Sequence, residues 1–275
     1  MTRVAICAPA TPIKPELAER VRNLAQDRFP EVSLTFHDQC FVKDGHFAGA
    51  DQVRLDALLE CANDSGFDAV WFAKGGYGSN RIAAAALAGM NAAARAKTYC
   101  GYSDCGTLLG ALYREGVGRA VHAPMPVDVK RTGGETAVAR TLGFLSGQRD
   151  GLERGLGERP SVAFNLTTLA MLVGTPFMPD LTGHELLIEE VAEYEYAIDR
   201  MMWHVTQHLP KIAGIRLGEV TKVPKNDRPF GADAEAIVRD WCARAGLTYL
   251  GRAQIGHTAD NRIVPFGLVE GGRAA

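Results

Sequence analysis

An alternation of strand-like and helix-like segments runs through the first half of this chain and constrains its fold more than any other feature. Arg3–Ala8 is an apolar run that stops at Pro9 and predicts a buried first strand. Lys14–Asp27 places Leu17, Val21 and Leu24 on one helical face. Val32–Phe36 predicts a second strand, and Asp51–Ala62 a helix through Val53, Leu55, Leu58 and Leu59. Ala69–Phe72 is a short apolar strand, Arg81–Ala94 an Ala-rich helix, and Thr98–Gly101 strand-like again. Alternation of this kind predicts a parallel sheet covered by helices, an α/β fold. Sites in such sheets lie outside the carboxyl ends of the strands. The loops after Ala69–Phe72 and Thr98–Gly101 could therefore face one crevice.

The second of those loops carries the sharpest chemical signal. The run Thr98-Tyr99-Cys100-Gly101-Tyr102 stops at Ser103-Asp104, and Cys105–Tyr113 reads as the start of a helix. A serine at that junction can project its hydroxyl into a cleft, beside backbone N–H groups that favour negative charge. That is the layout of an activated nucleophile beside part of an oxyanion hole. A helix N-cap is the plainer reading of the same serine.

Around Lys130–Pro160 the chain turns polar and Gly-rich, and we read this as the passage from a first domain, 1–148, to a second, 149–275. Asn165–Val173 reads as a helix, Glu185–Glu189 as a strand ending in acid, and Tyr194–His208 as a helix. Ile212–Val220 has strand character, Asp233–Ala245 is a helix, and Leu247–Leu250 a strand. With 275 residues, 47% of them AVILMFWYC, the chain can bury one large core or two smaller ones. Its formal net charge of −2 and lack of a basic stripe speak against nucleic acid. No apolar run is long enough to span a membrane. Six scattered cysteines form no CxxC pair and no zinc-ligand spacing, and the start does not read as a signal peptide, so a reducing cytoplasm is the expected compartment.

Ser103 has no local base. His257, between Gly256 and Thr258 in a loop after an apolar run, is the best placed of seven histidines. His122 also follows a strand-like stretch, whereas His37, His46, His184, His204 and His208 read as surface or helix residues. A base histidine needs a carboxylate to fix its tautomer. Glu189 ends an apolar strand, but Glu190, Glu193 and Glu195 lie close by, and spacing does not select among them. The loop Lys74-Gly75-Gly76-Tyr77-Gly78-Ser79 lacks the closing Gly-Lys-Ser/Thr of a P-loop and the third glycine of a dinucleotide fingerprint. It could be a tight turn needing positive φ, or a place where backbone N–H groups approach a reacting carbonyl.

Several segments match a known family in order along nearly the whole chain: Val4–Pro12, Phe47–Arg54, Ala73–Arg81, Gly101–Asp104, His122–Met125, Asn165–Pro179, Leu187–Glu190 with Asp199-Arg200-Met201, and Ile255–Pro265. Together they resemble the LD-carboxypeptidase family of serine peptidases, which includes murein tetrapeptide carboxypeptidases and microcin-immunity peptidases. The resemblance implies a Rossmann-like N-terminal domain, a mainly β C-terminal domain, and a site between them. It implies a triad matched here by Ser103, Glu189 and His257, with backbone amides of Gly76 and Asp104 as oxyanion donors. It implies no metal or cofactor, a homodimer, and a peptide substrate like a murein tetrapeptide, cleaved before a terminal D-amino acid.

The chain departs from the family pattern at Ala163-Phe164, where Gly-Gly is usual, at Lys74, where arginine is usual, at Ala123 within HAP, and at Cys105-Gly106-Thr107, which displaces a threonine. Phe164 adds a ring where backbone or substrate could pass, and Lys74 replaces a bidentate fork by a point charge. The competing functions are a microcin-immunity-like hydrolase of aminoacyl-nucleotide conjugates, a non-catalytic small-ligand binder, and an NAD-dependent oxidoreductase. The first would want an aromatic platform for a base, and Trp71 is expected to be buried. The incomplete glycine fingerprint speaks against the last.

Overall fold

The computed structural model describes residues 1–268. The first half builds one sheet from β1 (Thr2–Cys7), β2 (Val32–Phe36), β3 (Ala69–Phe72), β4 (Thr98–Gly101) and β5 (Arg119–His122). All pair in parallel, in the spatial order β5-β4-β3-β1-β2. β3 is buried at every position, as a strand covered on both faces must be. The helices are α1 (Pro15–Arg28), α2 (Asp51–Asn63), α3 (Ser79–Gly89), α4 (Gly106–Arg114) and α5 (Gly134–Leu145). α1 packs on α5, while α2, α3 and α4 pack in succession. Strand order reverses between β1 and β3, and the loops that leave β1, β3 and β4 open at the crevice this reversal creates.

The second half repeats the logic. β6 (Ser161–Asn165), β7 (Glu185–Val191), β8 (Gly214–Thr221) and β9 (Tyr249–Arg252) form a second parallel sheet in sequence order. Parallel neighbours need crossovers, supplied by α6 (Leu166–Leu172), α7 (Glu195–His208) and α8 (Ala234–Ala245). The α/β class and the two sheets are as expected. "Mainly β" understates the second unit, whose strands alternate with three helices. Its chain also returns to the first sheet. β10 (Val264–Pro265) pairs antiparallel with β5, so the stretch 149–275 supplies an edge strand of the first sheet as well.

The Lys130–Pro160 region, read as a passage between domains, contains α5, whose Ala137, Val138, Thr141, Leu142 and Leu145 are buried at helical spacing. The glycines at 133 and 134 punctuate its start, and they masked the periodicity that follows. Phe164 also proves to be structural. It is fully buried, its ring is 5.2 Å from that of Phe266, and Cβ atoms added at Gly106 and Gly110 of α4 would lie within 3.4 Å of it. The bulky ring is accommodated by glycine on the facing helix, and it joins the two sheets in one apolar cluster.

Candidate active site

Ser103 sits at the end of β4, where a 3-10 turn, Ser103–Cys105, leads into α4. Its φ is +58°, one of three positive values at non-glycine positions among the described residues. The left-handed region costs an L-residue on the order of 1–2 kcal/mol, and such strain persists only where surrounding structure imposes it. Here the imposing contact is glycine. A Cβ on Gly75 would lie 3.0 Å from Ser103 Cβ, so the backbone of the 74–79 loop rests directly against the serine. Gly76 follows at φ +89°, and a Cβ there would lie 2.6 Å from Thr11 Cγ2. The Thr11 hydroxyl donates to Gly75 O. The positive φ of Gly76 and of Gly78 bears out the tight-turn reading of this loop, whose backbone also packs on Ser103.

Two residues from the second half meet the serine. His257 Nε2 lies 3.2 Å from Ser103 Oγ, and His257 Nδ1 lies 2.8 Å from Glu189 Oε2. Glu189 is fully buried, and its other oxygen has no partner among the described residues. The imidazole is thus the one group among the described residues bonded to a carboxylate taken out of water. Chemically, the arrangement can deprotonate a hydroxyl and stabilise the charge that results.

The loop carrying His257 is tied down from the first half. Arg131 Nη1 donates to His257 O at 2.7 Å, and Arg131 Nε donates to Asp128 Oδ1 at 2.8 Å. The Tyr102 hydroxyl donates to the same Asp128 oxygen at 2.8 Å, and its ring lies against the His257 ring, tilted by 51° with centroids 4.9 Å apart. Burial first, then the Asp128 charge, pushes the Tyr102 phenol well above its ordinary range, so it stays a donor. His122, the other strand-end histidine, lies behind this layer. It is fully buried, and its Nε2 is 2.9 Å from Asn261 Oδ1, which also accepts from Gly256 N at 3.0 Å. Burial holds the His122 imidazole below its ordinary 6.5. His184, expected at the surface, is buried and 2.7 Å from the Tyr113 hydroxyl.

Asp104 follows the serine and borders a cavity of about 300 Å³ between the 77–80 segment and α6. Tyr77, Thr168, Met171 and Phe177 are among its lining residues. Thr168 Oγ1 donates to Asp104 Oδ1 at 3.3 Å, while Ser79 Oγ donates to Asp104 O at 2.7 Å. Burial raises the Asp104 carboxyl, against the pull of the Thr168 hydroxyl. Lys74 reaches Pro12 O at 3.3 Å, and burial, then Lys130, lowers its ammonium. Trp71 is buried as expected, with its indole N–H on Pro124 O at 2.9 Å. No group of three or more His, Cys, Asp or Glu residues among the described residues is arranged to hold a metal.

Reading the sequence alone missed Arg54. It is fully buried and donates to Pro9 O at 2.6 Å, Gly78 O at 2.8 Å and Gly49 O at 3.2 Å, while pairing with Asp51. It fastens the loop after β1 to the loop after β3. A lone arginine in an otherwise amphipathic helix gave no sign of this. Arg131 lies in the stretch read as the passage between domains, and Asp128 just before it.

Comparison with known proteins supplies an independent line. The LD-carboxypeptidase N-terminal domain model matches residues 4–123, and the LD-carboxypeptidase C-terminal domain model matches residues 160–269. The murein tetrapeptide carboxypeptidase of Pseudomonas aeruginosa is 26% identical over 98% of this chain and 94% of its own. The crystal structure of muramoyltetrapeptide carboxypeptidase from Oxalobacter formigenes superposes with a TM-score of 0.79 at 22% identity, covering 98% of this chain and 96% of that one. The microcin C7 self-immunity protein in complex with aspartyl sulfamoyl adenosine has the same fold, with a TM-score of 0.78 at 16% identity over 97% and 91%.

Proposed function

The chain belongs to the LD-carboxypeptidase family and is a serine-type carboxypeptidase; from that premise we propose that it releases a terminal D-amino acid from a murein tetrapeptide, with Ser103, Glu189 and His257 as its triad. The observation that carries this reading is the unbroken hydrogen-bond path from Ser103 Oγ through His257 to Glu189, at 3.2 and 2.8 Å.

His257 Nε2 takes the Ser103 proton as Oγ attacks the carbonyl carbon of the scissile bond. Glu189 holds the ring in the Nδ1–H tautomer and offsets the imidazolium charge. The amides of Gly76 and Asp104 receive the oxyanion, a contribution of roughly 3 kcal/mol per donor in well-built sites. His257 then returns the proton to the leaving amine. The acyl-enzyme is released by water, which His257 deprotonates in turn. The leaving D-residue must lie on the His257 side to be protonated. We place the acyl portion in the cavity bordered by Asp104 and Thr168.

The test is release of D-Ala from L-Ala-γ-D-Glu-meso-diaminopimelyl-D-Ala, compared with Ser103→Ala. Turnover by the wild type and none by the variant supports the reading. Turnover of aspartyl sulfamoyl adenosine with an inert tetrapeptide would instead assign the chain to the immunity-like branch.

A further inference from the structure

Next to Glu189 on β7 stands a second buried carboxylate that the proposed chemistry does not use. Successive residues of a strand face opposite sides of the sheet. Glu189 faces His257, and Glu190 turns the other way, toward α6. Glu190 is 2% exposed and accepts four hydrogen bonds. Its Oε1 takes Asn165 Nδ2 at 2.7 Å and Val191 N at 2.8 Å, and its Oε2 takes Thr167 N at 2.8 Å and Thr167 Oγ1 at 2.7 Å.

These contacts converge on the first turn of α6. Asn165 is the N-cap, and its Oδ1 accepts Thr168 N at 3.0 Å while its Nδ2 is held by Glu190. Thr168 in turn donates its hydroxyl to Asp104 Oδ1 at 3.3 Å, and a Cβ on Gly106 would lie 3.3 Å from Thr168 Cγ2. The 3-10 turn Ser103–Cys105, which presents the Asp104 amide beside Ser103, and the start of α4 are therefore docked on a helix end whose placement is set by Glu190.

We infer that Glu190 is a positioning residue that holds the oxyanion side of the site through α6, Thr168 and Asp104, as Glu189 holds the base. This rests on the proposed roles of Ser103 and of the Asp104 amide. One strand then serves both halves of the chemistry, one carboxylate from each face. Displacing an oxyanion donor by a fraction of an ångström to about 1 Å is enough for a loss on the order of a hundredfold.

The experiment measures the rate of Ser103 acylation by an activated aryl carbamate probe, whose phenolate leaves as the carbamoyl-enzyme forms; this rate depends on the oxyanion site and not on which peptide is the substrate. Glu190→Gln keeps the side chain's size but turns an amide N–H₂ toward donors. Acylation is expected to slow about tenfold to a hundredfold, measured per folded molecule at a temperature well below Tm. Thr168→Val, which removes the hydroxyl shared between Asp104 Oδ1 and Asn165 Oδ1, is expected to slow it about fivefold. In the double variant the Thr168 change should cost little more than Glu190→Gln alone, since both act through one path. Wild-type acylation rates in both single variants would overturn the inference, as would losses that simply multiply. Thr168→Val decides the matter if Glu190→Gln does not fold. A wild type that the probe does not label at Ser103 would sink the proposed function instead.

Discussion

The two sheets deliver their parts of the site by different means. At the end of β4 the serine is fixed by backbone sterics: a positive φ, Gly75 packed against its Cβ, and Thr11 packed against Gly76. At the end of β7 and in the loop after β9, Glu189 and His257 are fixed by side-chain hydrogen bonds and by Arg131, which holds a backbone carbonyl. The first device packs short loop motifs against one another by shape, with Thr11 held on Gly75 across 64 positions. The second joins residues 68 and 154 positions apart. A nucleophile held by steric contact tolerates little change in shape, whereas a base held by polar contacts tolerates little change in charge.

The largest expected effect tests both devices at once. Ser103→Ala and His257→Ala should each lower kcat/KM for D-Ala release by more than about a thousandfold, with Ser103→Ala/His257→Ala no worse than either alone. Their stabilities should then part. Ser103→Gly relieves the left-handed strain and should raise stability by about 1 kcal/mol in urea unfolding while abolishing turnover. His257→Ala leaves Glu189 buried without its imidazole and should lower stability. Equal effects of the two on stability would erase the distinction between the sheets. Gly76→Ala comes next, with an expected loss of about a hundredfold in kcat. Its Cβ must enter space held by Thr11 at a φ of +89°, so the loop moves and takes the Gly76 amide with it.

This contrast also explains what could be read before the structure. The β4 edge was legible because each part has its own short signature: an apolar run, a serine and a helix start in one segment, and a glycine pair in the loop after β3. Strands β1 to β4 were legible for the same reason. The partners of Ser103 were not selected by spacing, since four glutamates crowd the end of β7, and only the family resemblance singled out Glu189. Arg54, Asp128 and Arg131 act through contacts with backbone carbonyls or with distant side chains, and no periodicity encodes such contacts. α5 was lost to its own glycine-rich start. The role of Phe164 was not legible because its compensating glycines lie on α4, more than fifty positions from its own strand β6.

Arg54 extends the comparison to a charge within the sterically built edge. Arg54→Met should lower stability by about 3 kcal/mol, since it strips donors from three backbone carbonyls and leaves Asp51 to Arg81 alone. Its effect on turnover should be smaller than that of Gly76→Ala, because Thr11 still holds Gly75. Chemical denaturation and steady-state kinetics on the same preparation separate the two quantities. A loss of turnover without a loss of stability would show that Arg54 shapes the loop and does not support the fold.

The smallest effect is one of pH, and its sign differs between the two halves. His122 is buried with its pKa held below the ordinary 6.5, with Glu189, His257 and Asp128 as the charged or titratable groups around it. The unfolded chain therefore binds a proton that the folded one refuses. The stability His122 contributes is complete above about pH 6.5 and is lost as pH falls through its folded value. Glu190 is shifted the other way, raised by burial against the bonds from Val191, Thr167 and Asn165. Its contribution is complete below the ordinary carboxylate range and is lost as pH rises through its folded value. Tm measured from pH 8 downward should decline first, with a shallower decline in His122→Gln. Below that window Glu190 works against further loss, and Glu190→Gln should fall more steeply there than the wild type. Parallel Tm profiles for all three proteins would mean that neither buried group changes its protonation on unfolding.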